Sequence, residues 1–429
     1  MPEEKIESLQ SKLYTAAKSD PKRRFHSLRD KVYRRDILEQ AWEDVKSNRG
    51  APGPDGISTW DIEGSGVEEF LDELQQELKD GTYRPGPLLR VEIEKPGGGF
   101  RPLGIPNVRD RVAQAAVKLV IEPIFEADFK PCSYGYRPNK SAQDATKAIY
   151  TFLNFGLEHV IDVDIEHCFD EIPHARLIER VAIRISDGYI LKLISMWLKS
   201  PVLINGTLCS ISKGTPQGGV ISPLLANIYL HQLDSEWERL GMTSRKGPNA
   251  QMVRYADDIV ILTDQSPRYP MRVLCRLLEG LGLRLSTKKS RIVEAHEGFD
   301  FLGFRFIRRY SKKHGKRKTY YFPSARSITR AKEKILERAG NHALHETPEE
   351  VSKSLNRFMI GWWNYYRHSN GSSALAKVVN YLLSRFCRYL RRRKNKSGLG
   401  NRHDLPRRTI AEQYGLIVTY TVASYYAPR

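Results

Sequence analysis

Apolar positions recur with two different periods along this chain, and their alternation organises it. In 36–47 (DILEQAWEDVKS), Ile37, Leu38, Ala41, Trp42 and Val45 fall on one face of a helix. The stretch 67–81 predicts a second amphipathic helix, which Gly81 stops, and 108–125 predicts a third. Helical spacing returns from 175 to about 198, over 222–237, and again up to Gly282. Strand patterns lie between these helices. LLRVEIEKPGGGFRPLGIP (88–106) predicts a hairpin around 96–99, and HVIDVDIEHCFD (159–170) a β-rich run that ends in acidic residues. VLINGTLCSISKGTPQGG (202–219) predicts a hairpin with an Asn-Gly turn, followed by a glycine-rich loop. QMVRYADDIVILT (251–263) has apolar arms on either side of a polar tip, as a hairpin would. Short strands are expected at 283–285 and 299–306.

The strands are too few and too interspersed for a doubly wound sheet, so the fold class is α+β followed by an all-α domain. The expected organisation is a basic helical N-terminal extension over 1–35, an α+β body over 36–307 and a basic linker over 308–324. A helical domain over 325–395 and a short basic tail over 396–429 complete it. There is no internal repeat and no low-complexity tract.

Charge changes this picture. The 429 residues carry a formal net charge of +19, and its placement is uneven. Residues 308–429 hold 27 Lys+Arg against 7 Asp+Glu, while the preceding 307 residues are nearly neutral. A cationic module of this density attracts polyanions by counterion release. Aromatics interleaved with its basic residues, among them Trp362, Trp363, Tyr365, Tyr366 and Tyr389, offer stacking faces that favour nucleic acid. The same rings also suit helix packing. With 40% hydrophobic and 10% aromatic residues spread along the chain, disorder as the main state is excluded. No run approaches a membrane span and the N-terminus is polar, so no membrane partner is expected. The five cysteines are dispersed and odd in number, which points to a reducing compartment.

Two acidic sites carry candidate chemistry. Asp164 ends a strongly apolar run, and Asp257-Asp258 sit at a hairpin tip 93 residues later. Carboxylates in such surroundings are costly unless neutralised, and hard cations such as Mg²⁺ take oxygen ligands of this kind. Three carboxylates gathered from two segments would hold two divalent ions, as in-line attack of a 3′-hydroxyl on a nucleoside triphosphate requires.

With Tyr255-Ala256-Asp257-Asp258, the loop Gly214-Thr215-Pro216-Gln217-Gly218-Gly219, and Asp164 with Phe169 five residues on, the chain resembles motifs C, B and A of reverse transcriptases. Further blocks resemble the group II intron-encoded lineage. These are 48–58 as its N-terminal motif, Arg101–Pro106 with Val108-Arg109-Asp110-Arg111, and Ser133-Tyr134-Gly135-Tyr136-Arg137-Pro138 in the fingers. Phe301-Leu302-Gly303-Phe304 is similar to the primer grip, and Ile360-Gly361-Trp362-Trp363-Asn364-Tyr365-Tyr366 to the thumb and maturase region called domain X. The blocks occur in the family's order over roughly 36–395 and imply a right-hand polymerase.

The resemblance implies roles residue by residue. Asp164, Asp257 and Asp258 would be the catalytic, metal-binding triad, with the Ile165 carbonyl as a further ligand for two Mg²⁺, which Mn²⁺ could replace. Lys95 and Arg101 would hold the incoming triphosphate, and Gln217 would meet the nascent base pair. Phe169 would act as a steric gate favouring dNTPs, or serve as core. Lys289 would donate a proton to pyrophosphate, with Lys288 as the competing choice. Phe301, Leu302 and Gly303 would grip the primer. Contacts to nucleic acid would come from Arg109, Arg137, Lys316, Arg317, Lys318, Trp362, Tyr365, Arg391, Arg392 and Arg393. Arg109, Asp110 and Arg137 could instead form a structural ion pair, and Trp362 could be thumb packing. The implied activity is RNA-directed DNA synthesis from a DNA or RNA primer on an RNA template. A structured intron RNA and a DNA target would be further partners, in a bacterial-type cytoplasm or at the nucleoid. Nothing after 395 resembles the HNH endonuclease of some relatives. A domesticated enzyme in phage defence or DNA repair, and a maturase that only folds RNA, are the alternatives.

Overall fold

The computed structural model describes residues 2–94, 99–312, 314–394 and 407–417. Local sequence explains most of its helices. Arg35–Ser47 buries all five of the apolar residues expected on one face. Val67–Asp80 buries Leu71, Leu74 and Leu78 and ends at Gly81, whose φ of 80° favours a residue without a β-carbon. Val108–Glu126 and Ser222–Arg239 are buried on most sides, so they form the interior rather than a face of it. Each large side chain so buried stabilises the fold by roughly 1.5–3 kcal/mol.

Several regions depart from expectation. The helical stretch expected from 175 to 198 is two helices, His174–Ala182 and Gly188–Leu198. Asp187 starts the second by accepting the Tyr189 and Ile190 amides, as N-cap aspartates do. The N-terminal 35 residues are not continuously helical. Pro2–Ser19 is a helix, but Pro21 ends it, and Phe25 then bridges to Ile185 as extended chain. The strand expected at 283–285 shrinks to one bridge, Ile165 to Leu285.

The strands are β1 (Leu88–Glu94), β2 (Phe100–Ile105), β3 (His159–Asp164), β4 (Val202–Ile204), β5 (Thr207–Cys209), β6 (Gln251–Tyr255), β7 (Asp258–Thr263), β8 (Arg291–Glu294), β9 (Phe299–Phe301), β10 (Phe304–Ser311) and β11 (Lys316–Pro323). They form three sheets, with orders β2-β1-β4-β5, β6-β7-β3-β8 and β11-β10-β9. Asn205 and Gly206 both have positive φ, 49° and 82°, which gives β4–β5 the tight turn that Asn-Gly predicts.

The chain divides into two compact units. One comprises 1–141, 163–261 and 266–291, and the other 142–162, 262–265 and 292–429. The residues expected as a basic linker, 308–324, are not one. β10 and β11 pair antiparallel from Phe304↔Pro323 to Ser311↔Lys316. Phe304, Phe306, Ile307 and Thr319 turn inward while most of the basic side chains stay outside, so the dense charge masks a strand period. The tail is likewise partly structural. Ile410 and Leu416 join Leu355, Leu382 and Phe386 in the core of the second unit. Among the described residues no helix is long and apolar enough to cross a membrane.

Candidate active site

Apolar pressure places the acidic residues. Val160, Ile161 and Val163 are buried along β3, which leaves Asp164 at its end. Met252, Val253 and Ile259–Leu262 are buried along β6 and β7, so the chain must turn at Ala256-Asp257. Ala256 takes a φ of 57°, Asp257 is half-buried and Asp258 opens β7 in an exposed position. Burial, together with the negative charge of Asp164, pushes the Asp257 carboxyl above its ordinary range, and Arg101 pulls it back. Asp164 and Asp257 therefore share one electrostatic field with Arg101. Lys289 Nζ lies 3.1 Å from Asp164 Oδ2, the Ser286 amide donates to the Asp164 carbonyl at 2.8 Å, and the Asp164 amide donates to Ser290 Oγ at 3.1 Å. Ile165 is buried and bridged to Leu285. The donors are hard oxygens whose mutual repulsion a divalent cation would relieve, so they fit one chemically. Among the described residues, though, no three acidic, His or Cys side chains are drawn together as a ready-made metal cage.

The glycine-rich loop is stitched to both neighbours. The Thr215 amide donates to the Phe169 carbonyl at 2.7 Å and the Gly214 amide to Ile172 at 2.8 Å. A β-carbon on Gly214, at φ 92°, would meet the Asp170 carbonyl at 2.8 Å. His174, whose imidazole burial pushes below its ordinary pKa, bonds the Gly214 carbonyl through Nε2 at 2.8 Å. Phe169 is buried against this frame. Gln217 donates through its amide nitrogen to Asp170 Oδ1 at 3.1 Å, and its oxygen accepts from Arg101 Nε. The Gly104 amide bonds the Gln217 carbonyl at 2.7 Å, which ties the fingers hairpin to the loop. Pro102, Leu103, Asp170, Pro216 and Gln217 border a cleft of about 440 Å³. Lys95 lies outside the described residues.

Residues 93–306 match the family described as reverse transcriptase (RNA-dependent DNA polymerase), and 328–408 match the group II intron maturase-specific domain. Protein YkfC of Escherichia coli K12 is 35% identical over 342 residues, which cover 72% of this chain and 90% of YkfC. The chain belongs to the group II intron-type reverse transcriptases. The group II intron-encoded protein LtrA of Lactococcus lactis is 41% identical over 204 residues, 47% of this chain and 34% of LtrA. An uncharacterised 91 kDa protein in the cob intron of Schizosaccharomyces pombe is 28% identical over 444 residues, 87% of this chain and 54% of that one. The chain thus spans about a third to a half of these longer relatives. As a reverse transcriptase it is an RNA-directed DNA polymerase, with a maturase-type domain after the catalytic one.

Several side chains expected on nucleic acid are committed elsewhere in this reverse transcriptase. Arg137 is buried, its guanidinium bound to Glu126 (2.6 Å) and to the Lys130 and Ser133 carbonyls, so it is structural. Arg109 pairs with Glu77 and covers the Tyr83 ring, and Asp110 accepts from the Tyr83 hydroxyl at 2.6 Å. The arginines therefore use separate carboxylates. Trp362 packs on Tyr366 with ring centroids 4.8 Å apart. Tyr365 stacks on Phe304 and donates its hydroxyl to the Leu302 carbonyl at 2.9 Å. Both rings serve packing in the second unit.

The motif Phe301-Leu302-Gly303-Phe304 is a tight turn joining β9 to β10, with φ of 48° at Leu302 and 79° at Gly303. Arg317 pairs with Glu158 at 3.0 Å yet stays exposed, as does Lys316, while Lys318 is half-buried. Arg392 bonds Asn341 and Arg393 the Tyr389 hydroxyl, both from exposed positions, and Arg391 is half-buried on the same helix.

Sequence reasoning missed Asp170, which orients the Gln217 amide, and the buried pair Arg254–Asp234 beneath the Asp257 turn. The available signal was Arg254 itself, a charge inside an otherwise apolar strand, where only pairing makes burial tolerable.

Proposed function

We propose that this reverse transcriptase extends a primer 3′-hydroxyl on an RNA template with dNTPs, using Asp164, Asp257, Asp258 and the Ile165 carbonyl to hold two Mg²⁺. The observation that carries the reading is that Asp164 ends β3 and Asp257-Asp258 lead into β7, the strand beside it, from segments far apart in sequence. When bound, the ions would lower the pKa of the 3′-hydroxyl and neutralise the charge that develops on the departing pyrophosphate. The protein's own groups do the rest. Arg101, fixed by Gln217, offers a guanidinium to the triphosphate, with Lys95 as a second cation. Phe169, immobilised by Thr215, excludes a 2′-hydroxyl. Lys289 hands a proton to pyrophosphate, a role supported by its bond to Asp164. The turn 301–304 supports the primer terminus. The cationic surface of 308–394, with Lys316, Arg317, Lys318, Arg392 and Arg393 exposed or partly so, binds intron RNA as a maturase and supports retromobility.

The test is primer extension on an RNA template with dNTPs and Mg²⁺, comparing wild type with Asp257→Ala/Asp258→Ala. Extension by wild type alone is expected. A double variant that extends normally removes the carboxylate assignment, and a folded wild type that binds RNA without extending removes the polymerase reading. Phe169→Ala should raise ribonucleotide incorporation, and no rise removes the gate.

A further inference from the structure

We infer that Arg254 is a positioning residue that holds the Asp257–Asp258 turn in its metal-binding geometry, with Asp234, Asn227 and Ser133 as its brace. The inference rests on the proposed role of those carboxylates and explains how their geometry is kept. Arg254, Asp234, Asn227 and Ser133 are each at most 1% exposed. Arg254 Nε donates to Asp234 Oδ1 at 2.8 Å and Nη2 to Asp234 Oδ2 at 2.5 Å, a bidentate pair. The second Nη2 hydrogen goes to Ser133 Oγ at 2.8 Å, and one from Nη1 to Asn227 Oδ1 at 3.0 Å. The last goes to the Ala256 carbonyl at 3.0 Å, inside the turn itself. Every guanidinium hydrogen is used.

That final bond separates a brace from a core ion pair. A buried pair contributes little net stability compared with well-packed hydrophobic residues, so stability alone is a weak reason for one here. Hydrophobic side chains could fill the same space, but they could not donate to Ala256. The turn needs that bond because Ala256 is strained at positive φ.

The surroundings lock the other side. Arg254 pairs through its backbone with 132–134: its amide donates to the Cys132 carbonyl and the Tyr134 amide donates to its carbonyl, both at 2.8 Å. Asn227 Nδ2 donates to the Gly135 carbonyl at 2.8 Å. A β-carbon at Gly135 would lie 2.4 Å from the Ala256 nitrogen, so glycine lets the segment press directly on the turn. The Ser-Tyr-Gly-Tyr block therefore acts as a cradle for the acidic turn.

The test titrates Mn²⁺ alone into the full chain and follows free Mn²⁺ by its electron paramagnetic resonance signal, with melting midpoints measured in parallel. Arg254→Leu/Asp234→Leu removes the charges together and keeps the volume apolar. It should bind Mn²⁺ at least tenfold more weakly while its midpoint stays close to wild type. Arg254→Lys should behave similarly, and Ser133→Ala should weaken binding two- to threefold. Wild-type affinity in a folded double variant overturns the inference. If the double variant does not fold, wild-type affinity in both Arg254→Lys and Ser133→Ala overturns it. Wild-type Mn²⁺ binding by Asp257→Ala/Asp258→Ala would overturn the carboxylate assignment and the brace with it, whereas tight binding by the brace variants alone removes only the brace.

Discussion

Two hairpin tips in this reverse transcriptase face the same backbone problem and solve it differently. Each forces a residue with a side chain into positive φ, Ala256 at 57° and Leu302 at 48°. The Ala256 turn is held by a buried guanidinium paired with Asp234. The Leu302 turn is held by neutral groups. Its carbonyl accepts from the Tyr365 hydroxyl at 2.9 Å, and the Gly303 carbonyl accepts from Ser327 Oγ at 2.8 Å and the Ser324 amide at 2.9 Å. A turn that must keep a carboxylate in another carboxylate's field needs a brace that cannot reorient, and a fully bonded arginine supplies one. The Leu302 turn has no carboxylate to hold in place, so it needs no such rigidity, and ordinary hydroxyls suffice.

Breaking the charged brace should have the largest effect. Arg254→Met leaves Asp234 buried without a partner, and unfolding in urea should show a loss of about 3–5 kcal/mol. A loss under about 1 kcal/mol would mean that Asp234 is reached by water and the brace is not dry. Crowding the same turn comes next. Gly135→Ala places a β-carbon against the Ala256 nitrogen and the Tyr255 carbonyl carbon at 2.4 and 2.9 Å, neither of which is the end of a flexible side chain. Stability should fall by about 1–3 kcal/mol, as for overpacked interiors. Single-turnover extension should slow by more than that stability loss explains, and an unchanged rate would show that the turn tolerates displacement.

How much of this could be read from sequence follows from the range of the interactions. Asp164, Asp257 and Asp258 were legible because each ends or interrupts an apolar strand, a pattern contained within a dozen residues. Brace members lie far apart, with Ser133, Asn227, Asp234 and Arg254 spread over 121 residues and joined only by the fold. No local period marks them. Arg137 stays open in the sequence between nucleic acid and a structural ion pair for a related reason, because the fold is what brings Glu126 onto its guanidinium. The sequence predicts a strand only as far as 306, and the rest of β10 and all of β11 are hidden because basic side chains outnumber the apolar signal there.

The neutral brace should give a smaller response. Tyr365→Phe removes one hydroxyl and keeps the ring stacked on Phe304, so about 1 kcal/mol of stability is at stake. If the turn supports the primer, the KM for primer should rise roughly two- to fivefold while the single-turnover rate stays unchanged, by analogy with lost uniform binding. A fall in that rate with KM unchanged would place the turn in the chemistry instead.

The finest distinction between the two braces is their response to acid. His231 lies on the helix Ser222–Arg239 with Asn227 and Asp234, and burial pushes its imidazole down to about 4 from the ordinary 6.5. The unfolded chain therefore binds this proton at a higher pH than the folded one does. Stability from neutral His231 is present above 6.5 and is lost as pH falls from there toward 4, by up to about 1.4 kcal/mol per pH unit. His231→Phe should remove that slope, so the stability difference between variant and wild type should vary with pH across this window. The corresponding difference for Tyr365→Phe should stay constant, because the bond lost there joins a neutral hydroxyl to a neutral carbonyl. A constant difference for His231→Phe would show that the imidazole is already solvated, and that the helix carrying the brace is less dry than its buried arginine requires.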